Sequence, residues 1–160
     1  MIVYDLFAGT GSATQAFKDA GHTVIKIELD EYFKADERDI LAMTGEYLIT
    51  KYNQPDFIWA SPPCTTFNVA SCGTYWTPDG MPRNDKAVKG IQMVQHTINL
   101  IQNLNPSKGY IIENPRGMLR KQSIMDFMDR RTVTYCQYGE TRMKPTDLWG
   151  QVDGWIPRQT

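Results

Sequence analysis

The sequence predicts an α/β protein: a mostly parallel sheet with helices on both faces and a closing antiparallel hairpin. Short apolar runs rich in β-branched and aromatic residues alternate along the chain with longer segments of helical spacing. No repeat or low-complexity tract breaks this alternation. A chain of 160 residues with 41% hydrophobic content suits a single core, so residues 1–160 are read as one domain.

The elements follow in order. "MIVYDLF" (1–7) reads as a buried strand, and "GTGS" turns the chain into a helix that ends near Ala20, with Gly21 as its stop. "TVIKIELD" (23–30) is the second strand, and Tyr32 to Met43 is read as a short helix. "PDFIWAS" (55–61) is the third strand. Pro62 and Pro63 end it, because proline cannot donate to a sheet and fixes its own backbone. A Gly/Pro/aromatic stretch follows, and 65–85 is expected to be a mobile loop carrying Phe67, Tyr75 and Trp76. Residues 85–104 place Val88, Ile91, Val94, Ile98 and Ile101 at helical spacing and form the longest helix. "GYIIEN" (109–114) is a strand and "GMLRKQSIMDFM" (117–128) a helix. "RTVTYCQYG" (131–139) and "TDLWG" (146–150) are the two closing strands.

Several classes are excluded. No apolar run approaches the ~20 residues that span a bilayer, and "MIVYDLFAG" lacks the basic start and cleavage site of a secretory signal, the pattern of a cytoplasmic protein. Cys64, Cys72 and Cys136 are too few and irregular for a disulfide framework, and His22 and His96 lie far from them, so no metal site is expected. The net charge of −1 hides an asymmetry. Residues 1–80 hold 5 basic against 11 acidic residues, and residues 81–160 hold 12 against 7. Such a division suits a hydroxyl-rich or cationic ligand at one end and a polyanion at the other, although small domains also show it by chance.

In parallel sheets, ligands sit at the carboxyl ends of the strands, and every unusual motif here falls at such an end. "DLFAGTGSATQAF" (5–17) puts glycines directly after a strand, where backbone can approach a ligand; a plain tight turn would look the same. Glu28 closes the second strand 17 residues after Gly11, where an acid can accept from ribose hydroxyls. Asp39 in "RDIL" reads either as an adenine contact or as a solvated acid. Cys64 projects from a proline-fixed strand end, where a thiolate is a nucleophile; Cys136 reads as a small buried hydrophobe and Cys72 as incidental. "IIENPRG" (111–117) delivers Glu113 and Asn114 to another strand end, where a carboxylate is costly without a partner or a task.

In combination these motifs resemble the DNA (cytosine-5)-methyltransferases: Phe7, Gly9 and Gly11 of an F-x-G-x-G loop; Glu28 with Asp30; Asp39 with Ile40; Pro63 with Cys64; and Glu113 with Asn114. Order and spacing agree over roughly residues 3–149. "PPC", "ENPRG" and "QYGETRMKPTDLWG" look most like small bacteriophage-encoded methylases, which implies a bacterial host cell. The resemblance implies a Rossmann-like methyltransferase fold with S-adenosyl-L-methionine as cofactor. The cofactor-binding residues it implies are Phe7, Gly9, Thr10, Gly11, Glu28, Leu29, Asp39, Ile40 and Pro62. It implies Cys64, Glu113, Asn114 and Lys144 as catalytic residues, Cys64 adding to carbon 6 of cytosine and Glu113 acting at ring nitrogen 3. It implies cytosine-containing DNA as partner, with Phe67, Arg116 and Arg142 toward the DNA.

Two departures are visible. Lys144 stands where the family's Q-x-R-x-R element carries an arginine, and no target-recognition region follows "GWIPRQT". A homodimer or a separate recognition subunit would supply base reading. Other readings stay open. The chain could be a partner-dependent subunit or a remnant, or an amino-methyltransferase using "SPPC", although Cys64 then replaces the aromatic that stacks the base. A plain dinucleotide-binding protein is discounted, because Thr14 stands where the third glycine of G-x-G-x-x-G belongs.

Overall fold

The computed structural model describes residues 1–155; the last five residues of the expected 1–160 domain lie outside it. Six strands form one sheet: β1 (Ile2–Leu6), β2 (Thr23–Ile27), β3 (Phe57–Ala60), β4 (Tyr110–Pro115), β5 (Arg130–Thr134) and β6 (Pro145–Gln151). Their order is β2-β1-β3-β4-β6-β5. The first four are parallel, β6 runs antiparallel to β4, and β5 pairs antiparallel with β6 as the closing hairpin.

Alternation along the strands sorts the side chains onto two faces. One face carries Tyr4, Leu6, Ile25, Ile27, Ile58, Ala60 and Ile112. It is covered by α2 (Gly45–Tyr52) through Leu48 and by α4 (Asp85–Leu104) through Val94, Ile98, Ile101 and Leu104. Both helices start at a side-chain cap. Thr44 Oγ1 accepts from the Tyr47 amide at 3.1 Å and Asn84 Oδ1 from the Ala87 amide at 3.1 Å, each worth about 1 kcal/mol. The opposite face carries Val3, Phe57, Ile111, Val133 and Leu148. Its helical cover among the described residues is α1 (Gln15–Asp19), whose Phe17 ring lies 5.5 Å from that of Phe57. Beside it an apolar groove of about 380 Å³ opens between Phe17, Trp59, Tyr135, Leu148 and Trp155. No helix among the described residues is long and apolar enough to cross a membrane.

Four expectations are corrected. The helix expected over Tyr32–Met43 is two 3-10 turns, Glu31–Phe33 and Ile40–Ala42. Asp30 and Asp39 each accept a hydrogen bond from the amide two residues on, a local turn that competes with helix, and Lys34 adopts φ 47°. The helix expected over 117–128 is likewise two 3-10 turns, Met118–Lys121 and Ser123–Met125. Gln122 between them is extended, its side-chain amide donating to Gly80 O and Met118 O. The strand expected over 131–139 ends at Thr134, and Tyr135–Tyr138 turns as a 3-10 helix. That turn leaves Cys136 exposed rather than buried.

The segment after Cys64 is the fourth. It holds a 3-10 turn (Val69–Ser71) and α3 (Cys72–Tyr75), anchored by two core aromatics. Phe67 and Trp76, 0% and 1% exposed, stack with ring centroids 5.4 Å apart, and Trp76 Nε1 donates to Thr66 O at 2.6 Å. A fully buried Phe67 has no face to offer DNA in this conformation, so its expected DNA contact does not fit the structure.

Candidate active site

Register aligns the carboxyl ends of four strands in one row. Leu6 pairs with Ile27 and with Ala60, and Ala60 pairs with Ile112. Glu28, the Phe7–Gly11 loop, the Ser61–Cys64 segment and Glu113–Asn114 therefore emerge side by side. Three strand spacings of ~4.8 Å make the row about 14 Å long.

At one end of the row, the glycine loop folds back on β2. The amides of Phe7 and Ala8 both donate to Ile27 O, at 2.9 and 3.1 Å, and Phe7 is held at φ 63°. Gly9 at φ 50° and Gly11 at φ 76° occupy left-handed conformations that side chains disfavour. A Cβ on Gly9 would meet nothing within 4 Å, so open space lies in front of this backbone. Glu28 Oε2 accepts from the Gly9 amide at 2.8 Å and Oε1 from the Asp30 amide at 3.1 Å, which fixes the carboxylate at the mouth of the loop. Thr10 and Leu29 are exposed here. Asp39 uses Oδ1 to cap its own turn, and the carbonyl of buried Ile40 lies 2.8 Å from His96 Nε2.

Beneath the loop sits a group the sequence reading passed over. Asp5, 1% exposed, accepts from Thr14 Oγ1 at 2.5 Å. Burial holds its carboxyl above the usual range, the Thr14 hydrogen bond and the Lys26 charge pull it down, and Glu28 pushes it up. An acid inside the apolar run "MIVYDLF" was the signal for it. Glu37 was missed too, and nothing in "DERD" marked it. Its amide donates to Lys26 O and its carbonyl accepts from the Glu28 amide, at 3.1 and 3.0 Å. Its carboxylate receives Tyr47 OH, Lys51 Nζ and Tyr52 OH at 2.9, 2.5 and 2.8 Å. Burial would raise that carboxyl, but these three donors together hold it below its usual range. The knot ties α2 to the residue that pairs with Glu28.

At the other end of the row, the ends of β3 and β4 are joined by side chain. Asn114, 1% exposed, donates through Nδ2 to the carbonyl of buried Pro62 at 2.8 Å. Its Oδ1 has no partner among the described residues. Buried acceptors are nearly always satisfied, so this oxygen is the place for a donor from water or ligand. Half-buried Cys64 lies two residues beyond Pro62. Glu113 is half-buried, and its Oε1 accepts from Tyr135 OH at 3.2 Å. Tyr135 is pushed above its usual range by burial first and by the Glu113 charge second. Lys144 Nζ lies 5.5 Å from the centre of the same ring. Tyr135 thus connects two expected residues, and only the folded hairpin reveals it.

Among the expected cations, Arg116 and Arg142 are exposed. Arg120, beyond those expected, pairs with fully buried Asp147, Nε to Oδ2 at 2.9 Å and Nη2 to Oδ1 at 2.5 Å, and binds the hairpin to the turn after "ENPRG". Among the described residues no group of three or more His, Cys, Asp or Glu could hold a metal ion.

A parallel sheet closed by an antiparallel hairpin, with its unusual residues at the strand ends, is the Rossmann-like fold of methyltransferases. The structure matches the Entamoeba histolytica methyltransferase EhMeth over 100% of this chain and 55% of that one, with a TM-score of 0.67 and 13% identity. It also matches the S. pombe Dnmt2 methyltransferase over 99% of this chain and 53% of that one, with a TM-score of 0.64 and 14% identity. The chain thus spans about half the length of these solved structures, and at such identities the likeness concerns the fold. In sequence, the model of the C-5 cytosine-specific DNA methylases matches residues 1–129, and the chain belongs to that family. It is 28% identical over 166 residues to the "Probable DNA (cytosine-5)-methyltransferase" of Frog virus 3, covering 99% of this chain and 74% of that protein.

Proposed function

We infer that the chain methylates carbon 5 of cytosine in DNA, with Cys64 as nucleophile and S-adenosyl-L-methionine as methyl donor. The observation that carries this reading is the Asn114–Pro62 hydrogen bond, which joins the segment bearing Cys64 to the strand bearing Glu113. The open space before Gly9 and the pinned Glu28 carboxylate suit the donor, held by the Phe7–Gly11 backbone and by Glu28, with Leu29, Asp39 and Ile40 bordering it. When bound, it supplies an electrophilic methyl group.

The remaining chemistry falls to the chain. Cytosine carbon 5 is a weak nucleophile. The Cys64 thiolate forms a bond to carbon 6 while Glu113 donates a proton to nitrogen 3, and the electron pair moves to carbon 5. After methylation, carbon 5 loses its proton to solvent water, Cys64 leaves as the thiolate, and nitrogen 3 returns its proton to Glu113, which restores the aromatic ring. Tyr135 holds Glu113 by the hydrogen bond it donates, and Lys144 stands on the same ring as a cation beside the base. A base inside a duplex cannot meet a half-buried thiol, so it must leave the stack. Arg116 and Arg142 are the phosphate contacts of this reading. Base reading beyond the target cytosine would come from a second copy or a separate subunit.

DNA carrying 5-fluorocytosine tests the reading, because fluorine at carbon 5 blocks the final elimination. Purified protein with this DNA and donor should give a covalent adduct on a denaturing gel, absent in Cys64→Ser. Donor binding without an adduct on any DNA would overturn catalysis by this chain alone. New 5-methylcytosine made by Cys64→Ser would overturn the nucleophile.

A further inference from the structure

We propose that Gly117 is a positioning residue for Cys64: by carrying no side chain, it lets the backbone just after the nucleophile seat on the backbone just after β4. This rests on Cys64 as the nucleophile. The segment Cys64–Asn68 is a tight turn in which Cys64 O accepts from the amides of Phe67 at 2.9 Å and Asn68 at 3.1 Å. Phe67 O in turn accepts from the Met118 amide at 2.7 Å, and Asn68 forms a β-bridge with Gly117. On the other flank, Pro62 O is held by Asn114. Cys64 is therefore clamped on both sides by one stretch of chain, residues 114–118.

The second clamp exists only because residue 117 is glycine. A Cβ there would lie 2.1 Å from Phe67 O and 3.1 Å from Phe67 C. Both are backbone atoms, so no side-chain rotation relieves the contact. Gly117 has φ −178°, which any residue can adopt, so contact and not conformation excludes a side chain. A second glycine faces the same segment from the other side, against side chains rather than backbone. Gly90 lies inside α4, where glycine costs about 0.5–1 kcal/mol against alanine. A Cβ on it would meet Thr66 Oγ1 at 2.6 Å and the Phe67 ring at 3.4 Å. Both glycines face Phe67, Gly117 against its carbonyl and Gly90 against its ring.

Hydrogen exchange on the wild-type protein without ligands makes the first test. The amides of Phe67, Asn68 and Met118 should exchange as slowly as those of β4; exchange at loop rates would overturn the proposal without any variant. Gly117→Ala makes the second, with Gly73→Ala as control, since a Cβ at Gly73 meets nothing within 4 Å in the same segment. Displacing a reacting group by about 1 Å costs on the order of 10²-fold. Gly117→Ala should therefore slow adduct formation on 5-fluorocytosine DNA about 100-fold and speed exchange at Phe67 and Asn68. Its donor dissociation constant should stay within about twofold of wild type, and Gly73→Ala should change none of these. A Gly117→Ala protein with wild-type adduct rate and exchange overturns the positioning role. A wild-type protein that forms no adduct overturns catalysis by this chain alone instead, and the exchange data then still decide whether the clamp exists.

Discussion

At the ends of β1 and β2 the candidate ligand groups are the backbone of left-handed glycines and a half-buried carboxylate pinned by amides, whereas at the ends of β3 and β4 they are half-buried side chains braced by a buried asparagine and a tyrosine. The first region offers a shaped, open surface; the second offers one thiol, one carboxylate and their supports in a single pose. The difference teaches a division of labour. The glycine end should govern how tightly a ligand is held, and the Pro-Cys end how fast chemistry proceeds. Substitutions at the two ends should therefore split into effects on binding and effects on turnover.

The largest expected effect lies at the second end. Glu113→Gln should lower the rate at saturating donor by about 10²–10⁴-fold, the range of a lost general acid, with donor affinity unchanged in calorimetry. If affinity falls instead, the division fails. At the first end, Glu28→Ala should weaken donor binding by about 10–100-fold, the scale of charge-assisted hydrogen bonds, while the rate at saturating donor stays within a few-fold. A smaller effect sharpens the second end. Tyr135→Phe removes the hydroxyl from Glu113 and should cost about 3–10-fold in turnover; the pH–rate profile should move with it, which loss of packing alone would not cause.

The smallest effect tests the floor beneath the glycine loop. Burial raises the Asp5 carboxyl in the folded chain, so folding favours its protonated form. Asp5 stabilises the fold most below the unfolded carboxylate range, and that contribution is lost as pH rises through its folded value. Asp5→Asn removes the charge. It should raise the melting temperature at neutral pH, and the gain should vanish below the ordinary aspartate range. A gain that persists there would mean that desolvation of Asp5 is not the cause.

The sequence made one of these ends more legible than the other. Glycines after a strand and Pro62–Pro63 are local signals, and both landed at a strand end as read; the acid of "IIEN" lies past the end of β3 but inside β4, which runs on to Pro115 against β6. Tyr135, Lys26 and Glu37 reach their partners across the hairpin or across the sheet, and no local pattern encodes such a meeting. The helices expected over 32–43 and 117–128 failed for a related reason. Side chains of Asp30, Asp39 and Gln122 bond to nearby backbone, a competitor that apolar spacing does not register. Phe67 and Trp76 were read into a mobile loop because the stretch is long, irregular and rich in Gly, Pro and aromatics; Phe67 is buried against α4 and the turn after β4, elements distant in sequence, and Trp76 stacks on it.

The strand order also sets a timetable. β6 lies between β4 and β5, although it is the last of the six to be synthesised. β5, made earlier, has β6 as its only sheet neighbour among the described residues and cannot join it before residues 145–151 exist. During translation the four parallel strands can pair while the stretch bearing Tyr135 waits unplaced. Glu113 gains its tyrosine, and Lys144 its place, only once β6 is made, so a chain made as far as residue 118 can already clamp its thiol segment yet lack the acid's support.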